Sequence, residues 1–364
     1  MRKPSRYTTW LIFPLLLTVI ITFFLSGCIA QSSFSETITE TSEQPQAVPT
    51  PTTIPPGLSR ENPLNGLEII SLKNWEVSVI DIVRGPEAWK KIKDANQFND
   101  PPPDGWSYIL IHYQLHRKGQ SQVENSLGLH LTGNAHILHY SFNTSVVPPD
   151  PILDSYMIGG ETSQGWDAYL IRDDESDLML VLDDLSDYEV PEYFARLEDD
   201  AVLTAPTTLD DIEATALGRE PDQPLPFGQI ATSEEWQIMV QQVQQGDPAW
   251  GRVQELNPFN TPPLAGQMYI LVRVGIYHIG SDALGTWLNS SDFAVLNHDN
   301  ESFASAPISG LEPRFYLKLY PGGEYEGWLA FLVNKDDGSL VLAFRPAYSD
   351  AGNHRYLSLQ QSGR

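Results

Sequence analysis

Cysteine and positive charge are what this sequence has least of. One cysteine among 364 residues excludes a disulfide framework, and it excludes a zinc site built from several cysteines of one chain. Lys and Arg number 22 against 47 Asp and Glu, which gives a formal net charge of −25. Such a charge repels phosphate backbones, so we expect no nucleic-acid partner.

The signature motifs of common enzymes are also missing. The chain contains no G-x-S-x-G, H-E-x-x-H or S-x-x-K motif, and no G-x-G-x-x-G motif or P-loop. A pair of acidic residues of the kind that glycosidases use would be weak evidence for such an enzyme, because 47 carboxylates form pairs by chance. We therefore predict no catalytic residue, no cofactor and no enzymatic activity, with a hydrolase as the minority alternative.

The amino terminus has the pattern of a secretory signal. Arg2, Lys3 and Arg6 precede an apolar run that is too short and wrongly flanked for a good spanning helix. The following Leu25-Ser26-Gly27-Cys28 resembles a bacterial lipobox. The resemblance implies removal of signal peptide 1–27 and a diacylglycerol anchor of palmitate type at Cys28, on the extracytoplasmic face of the cell membrane. Inner and outer membrane both stay open, and an uncleaved anchor with an incidental cysteine is the alternative.

Residues 28–57 read as a disordered tether. From Ile29 to Ser59 the chain has no Lys or Arg, and Ser, Thr, Glu, Gln and Pro dominate. Such a composition buries too little apolar surface to fold. We expect this segment to hold the folded part away from the lipid headgroups.

Beyond the tether the chain repeats itself. Trp75 and Trp236 mark an offset of 161 residues. The other matching segments, in chain order, are Gly85–Trp89 with Gly246–Trp250, Asn96–Asn99 with Asn257–Asn260, Gly105–Leu110 with Gly266–Leu271, and Gly159–Trp166 with Gly322–Trp328. Shared order and spacing indicate a tandem duplication in which each copy is a complete domain. We place the copies at 58–204 and 217–364, with a linker at 205–216.

Periodicity within each copy is mostly that of strands. Apolar and polar residues alternate in 108–117 and 269–277, which predicts strands with one buried face. We expect hairpins at 166–182 and 328–344, each across a polar turn. A three-residue apolar spacing from Trp89 and from Trp250 predicts one short helix per copy. The predicted fold class is all-β, with two tandem antiparallel sandwiches.

The motif W-x2-[IV]…N-x-F-N-x-P-P…G-x2-Y-[IV]-L, followed by a glycine pair and Gly-Trp, resembles one group of secreted bacterial domains. These are the telokin-like, immunoglobulin-type sandwiches of unknown function, related to the immunoprotective extracellular proteins of mycobacteria. The resemblance covers nearly all of residues 58–362. It implies an immunoglobulin-like fold and an envelope lipoprotein, and it carries no catalytic residues.

Histidines are the first candidate metal ligands. Five of the eight lie in the first copy: His112, His116, His130, His136 and His139. The first two share a predicted strand face, so the geometry allows a zinc or copper site. Arg273 and Tyr277 replace them in the second copy, which favours exposed sheet residues instead.

Acidic side chains are the second candidate. Between Asp150 and Asp211 the chain has 18 Asp and Glu but only Arg172 and Arg196. Carboxylates are the ligands calcium prefers, yet no cluster has the order of an EF-hand loop. We predict solvated, charged turns and no metal site. A calcium-binding adhesion-type module is the alternative.

Nine tryptophans make a carbohydrate-binding protein a further alternative. Three pairs recur in both copies, which favours core anchors: Trp75 with Trp236, Trp89 with Trp250, and Trp166 with Trp328. Trp106, which aligns with Gln267, and Trp287 are the better candidates for an exposed aromatic platform.

Function should lie where the copies differ. They diverge most at 118–157 and 279–318, which are loop-rich as binding edges are. Aromatic and Arg side chains are enriched at interface hot spots, which favours the second copy. The predicted binding surface consists of Trp287, Phe293, Phe303, Arg314, Phe315 and Tyr316. We expect a binding or scaffold module whose partner is an envelope protein, a wall polymer or a glycan; neutral drift of these loops is the alternative.

Overall fold

The computed structural model describes residues 55–141, 144, 146–185, 191–198, 209, 212–347 and 349–361. The predicted signal peptide 1–27, the predicted lipidation site Cys28, the predicted tether as far as residue 54 and half of the predicted linker 205–216 lie outside these residues. Within the described ranges, no helix is long and apolar enough to cross a membrane.

The first copy runs from short edge strands through two long central strands to a second set of strands. Its described elements are β1 (Leu64–Asn65), β2 (Ile70–Ser71), β3 (Trp75–Arg84), α1 (Gly85–Ala95), β4 (Trp106–Arg117), β5 (Asn125–Thr132), β6 (Ile137–Tyr140), β7 (Tyr156–Met157), β8 (Thr162–Arg172), β9 (Met179–Asp184) and β10 (Tyr193–Arg196).

The second copy has a similar plan, with one described strand before its first long strand instead of two, and four between its later long strands instead of three. Its described elements are β11 (Ala231–Thr232), β12 (Trp236–Gln245), α2 (Asp247–Leu256), β13 (Gln267–His278), β14 (Thr286–Asn289), β15 (Phe293–Leu296), β16 (Ser302–Ala304), β17 (Tyr316–Leu319), β18 (Glu324–Asn334), β19 (Val341–Phe344) and β20 (Arg355–Ser358). Short 3₁₀ turns lie at Ser290–Asp292 and Ala351–Asn353.

Each copy packs two sheets around an apolar core. In the first copy the sheet β2-β3-β4-β8 faces strands β1-β10-β9-β5-β6, and in the second β11-β12-β13-β18 faces β16-β15-β19-β20. Trp75 and Trp236 are fully buried in the two cores, as predicted. The predicted all-β class is confirmed, with one short helix in each copy where the apolar spacing indicated it.

The two predicted copies also match in an irregular feature. The pairing of β3 with β4 is interrupted between Val79 and Asp81, and that of β12 with β13 between Val240 and Gln242, at the same offset of 161 residues. A bulge is a local departure from the ladder that kinks a strand. Its recurrence shows that the copies share backbone detail as well as an apolar pattern.

The two predicted hairpins are wrong. Strand β8 pairs with β4, whereas β9 pairs with β5 and β10, so the turn after β8 crosses from one sheet to the other. Strands β18 and β19 behave in the same way. A short polar turn between apolar strands is compatible with a hairpin or with such a crossing, because periodicity identifies strands but not their partners.

Candidate functional site

The predicted binding surface is divided between core and surface. Phe293 and Phe315 are buried in the second core, with ring centroids 4.7 Å apart, and Phe303 packs partly buried against the same core. Phe293 and Phe315 support the sandwich and are not available as a contact surface, so the prediction is wrong for these two, whereas Phe303 keeps part of its side chain accessible and stays a prediction. The reason is that large aromatic residues dominate cores as well as interfaces.

The other predicted residues are accessible and lie beside the junction of the copies. Trp287 is 44% exposed, and its ring stacks at 5.1 Å on Tyr140 of the first copy. Tyr316 is 45% exposed and lies 5.8 Å from Trp287 between ring centroids. Arg314 points outward, with Nε 3.7 Å from an oxygen of Glu312.

One sheet runs through both copies. Its order is β1-β10-β9-β5-β6-β17-β14, and the link is antiparallel pairing of β6 with β17. Ile137 lies opposite Leu319, and the side chain of Ile137 belongs to the core of the second copy. The ladder continues where the Tyr320 amide donates to the His136 carbonyl at 2.9 Å. The two divergent segments of the sequence therefore meet each other.

A buried polar cluster closes the junction. The ammonium of Lys318 donates to Glu192 at 2.7 Å, and the hydroxyl of Tyr320 donates to the other oxygen of that carboxylate at 3.2 Å. The guanidinium of Arg60 lies 5.1 Å above the Tyr320 ring. Gly323 allows the close approach, because a Cβ there would lie 2.8 Å from the carbonyl oxygen of His136.

The five histidines of the first copy are separated into different environments. His112 stacks on Trp166 at 4.6 Å, whereas His139 lies 2.8 Å from a carboxylate oxygen of the buried Glu175. Burial, together with the charge of Lys318, lowers the pKa of His130 to about 4. In the described part of the chain, no three His, Cys, Asp or Glu side chains are placed to hold a metal ion.

In the described part of the acidic segment, carboxylates accept hydrogen bonds from neighbouring side chains. Asp174 accepts two hydrogen bonds from Arg172, at 2.9 and 2.8 Å, and these hold the pKa of its carboxyl below the ordinary value. Asp184 accepts from the amide of Asn74 at 2.9 Å. Asp187, Asp199 and Asp200 fall outside the described residues.

A cleft of about 580 Å³ lies between the two copies. Its floor is the outer face of β12, β13 and β18, in the half of the sheet that helix α2 leaves uncovered. The residues on this face form two rows across the strands: Gln237, Tyr277 and Glu324, then Met239, Gly275 and Glu326.

The first copy supplies one wall of the cleft. Gly105, the half-buried Trp106 and Arg172 stand at the ends of β4 and β8, and Ile230 and Pro313 complete the lining from the second copy. The cleft therefore exists only because the junction fixes one copy against the other. Of the two tryptophans proposed as a platform, Trp106 lies here and Trp287 lies at the junction.

Charged groups in the cleft are paired. Arg273 donates to Glu326 at 2.5 Å, and Gln241 donates to the other oxygen of the same carboxylate. Arg172 bonds Asp174 through two of its nitrogens, and its third nitrogen lies 3.9 Å from Glu324. Hydrogen bonding to Asp174 raises the pKa of Arg172. The site thus presents guanidinium and carboxylate groups held in place by one another.

The matching face of the first copy has different side chains. Its two rows are Glu76, His116 and Thr162, then Ser78, Gln114 and Gln164. In place of the Arg273–Glu326 pair it has His112 and Gln164, whose nitrogens are 3.4 Å apart. None of these residues lines the cleft. Alternation within β13 did identify Arg273 and Tyr277 as outward-facing, but nothing in that pattern indicates the wall above them.

Comparison with known proteins gives no family assignment. No protein-family model matches the chain, and no curated protein matches it either. Among solved structures, the Bacillus subtilis protein ycdA, provisionally named a lipoprotein, is 18% identical, with a TM-score of 0.30, over 37% of this chain and 39% of its own. The chain thus spans about two fifths of that protein.

Two further solved structures are similar over one copy's length. The yjhA protein of Bacillus subtilis is 14% identical over 37% of this chain and 99% of its own, with a TM-score of 0.28. An uncharacterized β-sandwich protein of Clostridium difficile is 13% identical over 43% of this chain and 100% of its own, with a TM-score of 0.24. Similarity this low supports no statement about function.

Proposed function

We propose that the chain is a lipid-anchored, extracytoplasmic protein of the cell envelope whose folded part is a non-catalytic binding module. The anchor rests on Leu25-Ser26-Gly27-Cys28 and on the basic and apolar segments before it. The tether between Cys28 and the first described residue, Pro55, would let the module stand clear of the membrane.

The observation that carries the binding role is the cleft with walls from both copies. Concave sites between domains are where ligands most often bind. Pairing of β6 with β17 and the buried Lys318–Glu192 contact hold the cleft in one shape. A site that needs no rearrangement loses little entropy when it binds.

The proposal also concerns the family to which the two domains belong. The motif shared by both copies resembles that of the telokin-like, immunoglobulin-type domains, and the all-β sandwiches fit such a fold. Because a fold of this kind serves many functions, the role is argued from the cleft and not from the resemblance.

The first experiment tests the anchor. Replacement of Cys28 by Ala should remove the lipid from the mature chain and release the protein from membranes, as measured by intact mass and by fractionation of cells. A wild-type chain that carries no lipid, or that leaves the membrane fraction, would contradict the anchor.

The second experiment tests the cleft. A photo-crosslinking amino acid in place of Tyr277 should capture a partner in intact cells, whereas the same group in place of His116, the matching position of the first copy, should not. Equal capture from both positions, or capture from neither, would contradict a binding role for this cleft.

A further inference from the structure

The paired charges of the cleft select against a charged ligand. Arg273 is 2.5 Å from Glu326, and Arg172 is 2.8 Å from Asp174. An anion that bound Arg273 or Arg172 would lie beside the carboxylate already paired with it, and a cation that bound those carboxylates would lie beside a guanidinium group, so each would be repelled by the partner charge. The net charge of −25 also repels polyanions at long range. An uncharged ligand leaves every pair in place.

The same pairs leave many hydrogen-bonding positions open. A guanidinium has five N–H donors and a carboxylate about four acceptor positions, so one contact to Glu326 uses only part of what Arg273 offers. Gln237 and Tyr277 add an amide and a hydroxyl in the first row of the floor. Fixed donors and acceptors at this density suit a ligand rich in hydroxyl groups.

The wall of the cleft includes an aromatic ring that the matching position of the second copy lacks. Trp106 lines the cleft, whereas the aligned residue of the second copy, Gln267, does not. The Trp106 ring meets the His139 ring edge-on, with centroids 6.2 Å apart, and His139 is fixed by Glu175 at 2.8 Å. An indole held in this way can pack on the C–H face of a sugar ring.

We propose that the cleft binds a neutral oligosaccharide, with Trp106 packing on a sugar ring and Tyr277, Arg273 and Glu326 binding its hydroxyl groups. The inference rests on the proposed binding function and names its ligand class. The floor is three strands wide, about 10 Å at ordinary strand spacing, which suits a short chain of sugars better than one.

The test is calorimetric titration of the mature lipidated protein in phosphatidylcholine vesicles. The probes are uncharged tetrasaccharides of N-acetylglucosamine, of β-1,4-linked glucose and of β-1,4-linked mannose, with tetragalacturonate as the anionic control. We expect at least one uncharged probe to bind, and Trp106→Ala to weaken it by about tenfold. Gln267→Ala, the matched change in the second copy, should leave its affinity unchanged.

Three results would overturn the inference: no uncharged probe binds at about 10 mM, tetragalacturonate binds more tightly than all of them, or Gln267→Ala weakens binding as much as Trp106→Ala. Unfolding midpoints of both variants show whether a loss reflects misfolding, and Trp106→Phe should then restore part of the affinity. If no probe binds but crosslinking at position 277 captures a protein, the ligand class is wrong and the binding role stands. If crosslinking also captures nothing, both are wrong.

Discussion

Removal of the Glu192 carboxylate should destabilise the protein because it leaves a buried ammonium without a partner. The side chain of Lys318 is 8% exposed and that of Glu192 is 15% exposed, with 2.7 Å between the charged atoms. Breaking such a pair by removing one partner costs about 3–5 kcal/mol. Glu192 also accepts from the Tyr320 hydroxyl, so Glu192→Ala costs a second buried hydrogen bond, about 1 kcal/mol more.

A double-mutant cycle separates the pair from the loss of packing. Lys318→Met keeps the apolar stem, so Glu192→Ala in that background should cost less than in the wild type by about 2 kcal/mol or more. The assay is unfolding in urea followed by tryptophan fluorescence. Asp94→Ala, which breaks the exposed pair between Lys90 and Asp94, is the control and should not move the midpoint. Additive costs for the two buried changes, or a midpoint for Glu192→Ala equal to the wild type, would refute the reasoning.

Four further changes test the packing, the junction and the pH dependence of stability. Phe98→Ser should alter the free energy of unfolding by less than about 0.5 kcal/mol, because this ring is 82% exposed. The side-chain amide of its neighbour Asn99 donates to the carbonyls of Ile92 and Val147. Asn99→Ala should therefore lower the free energy of unfolding by about 1–3 kcal/mol in the same urea assay. Trp287→Ala should cost about 1 kcal/mol by removing the stack on Tyr140, and an unchanged midpoint would argue against that contact. Burial lowers the pKa of His278 to about 4, so the unfolded chain takes up this proton near pH 6.5 and the folded chain does not. Stability should therefore fall between about pH 6.5 and 4 by up to about 3 kcal/mol, and comparison with His278→Gln should isolate that part; an equal fall in the variant would contradict it.

The strands and the two helices could be predicted because they depend on local patterns. Alternation along 108–117 and 269–277 reports which side chains are buried, and the structure places those residues in the long central strands β4 and β13. Partner strands could not be predicted in the same way, since β8 and β9 have the apolar pattern of a hairpin but pair with strands of different sheets.

Which of the predicted binding residues are accessible could be predicted only in part, for a related reason. Divergence between the copies identified two segments that meet at the junction, but it could not distinguish a surface for an outside partner from a surface for the other copy. Ile137 and Leu138 in β6 are both buried, which indicates a strand covered on both faces. The sequence contains this signal as a short apolar run, but it does not show which part of the chain covers the second face of the strand.

The cleft was missed because it is a product of the junction. Arg273 and Tyr277 are ordinary outward-facing residues of a sheet until Trp106 and Arg172 of the first copy stand above them. Arg273 and Tyr277 each lie more than 100 residues from Trp106 and from Arg172 in the sequence. No local pattern carries such a relation.

Formation of a disulfide across the junction tests the central claim most directly. Ile137 and Leu319 are opposed residues of an antiparallel pair, whose Cα atoms ordinarily lie about 4.5–5.5 Å apart, within the range a disulfide spans. In the full-length protein, the two cysteines introduced by Ile137→Cys with Leu319→Cys should oxidise spontaneously, which blocks alkylation of both thiols. Ile137→Cys with Leu317→Cys, two residues out of register, should remain reduced. Free thiols in the first pair, or equal oxidation of both pairs, would contradict the joining of the two copies through β6 and β17.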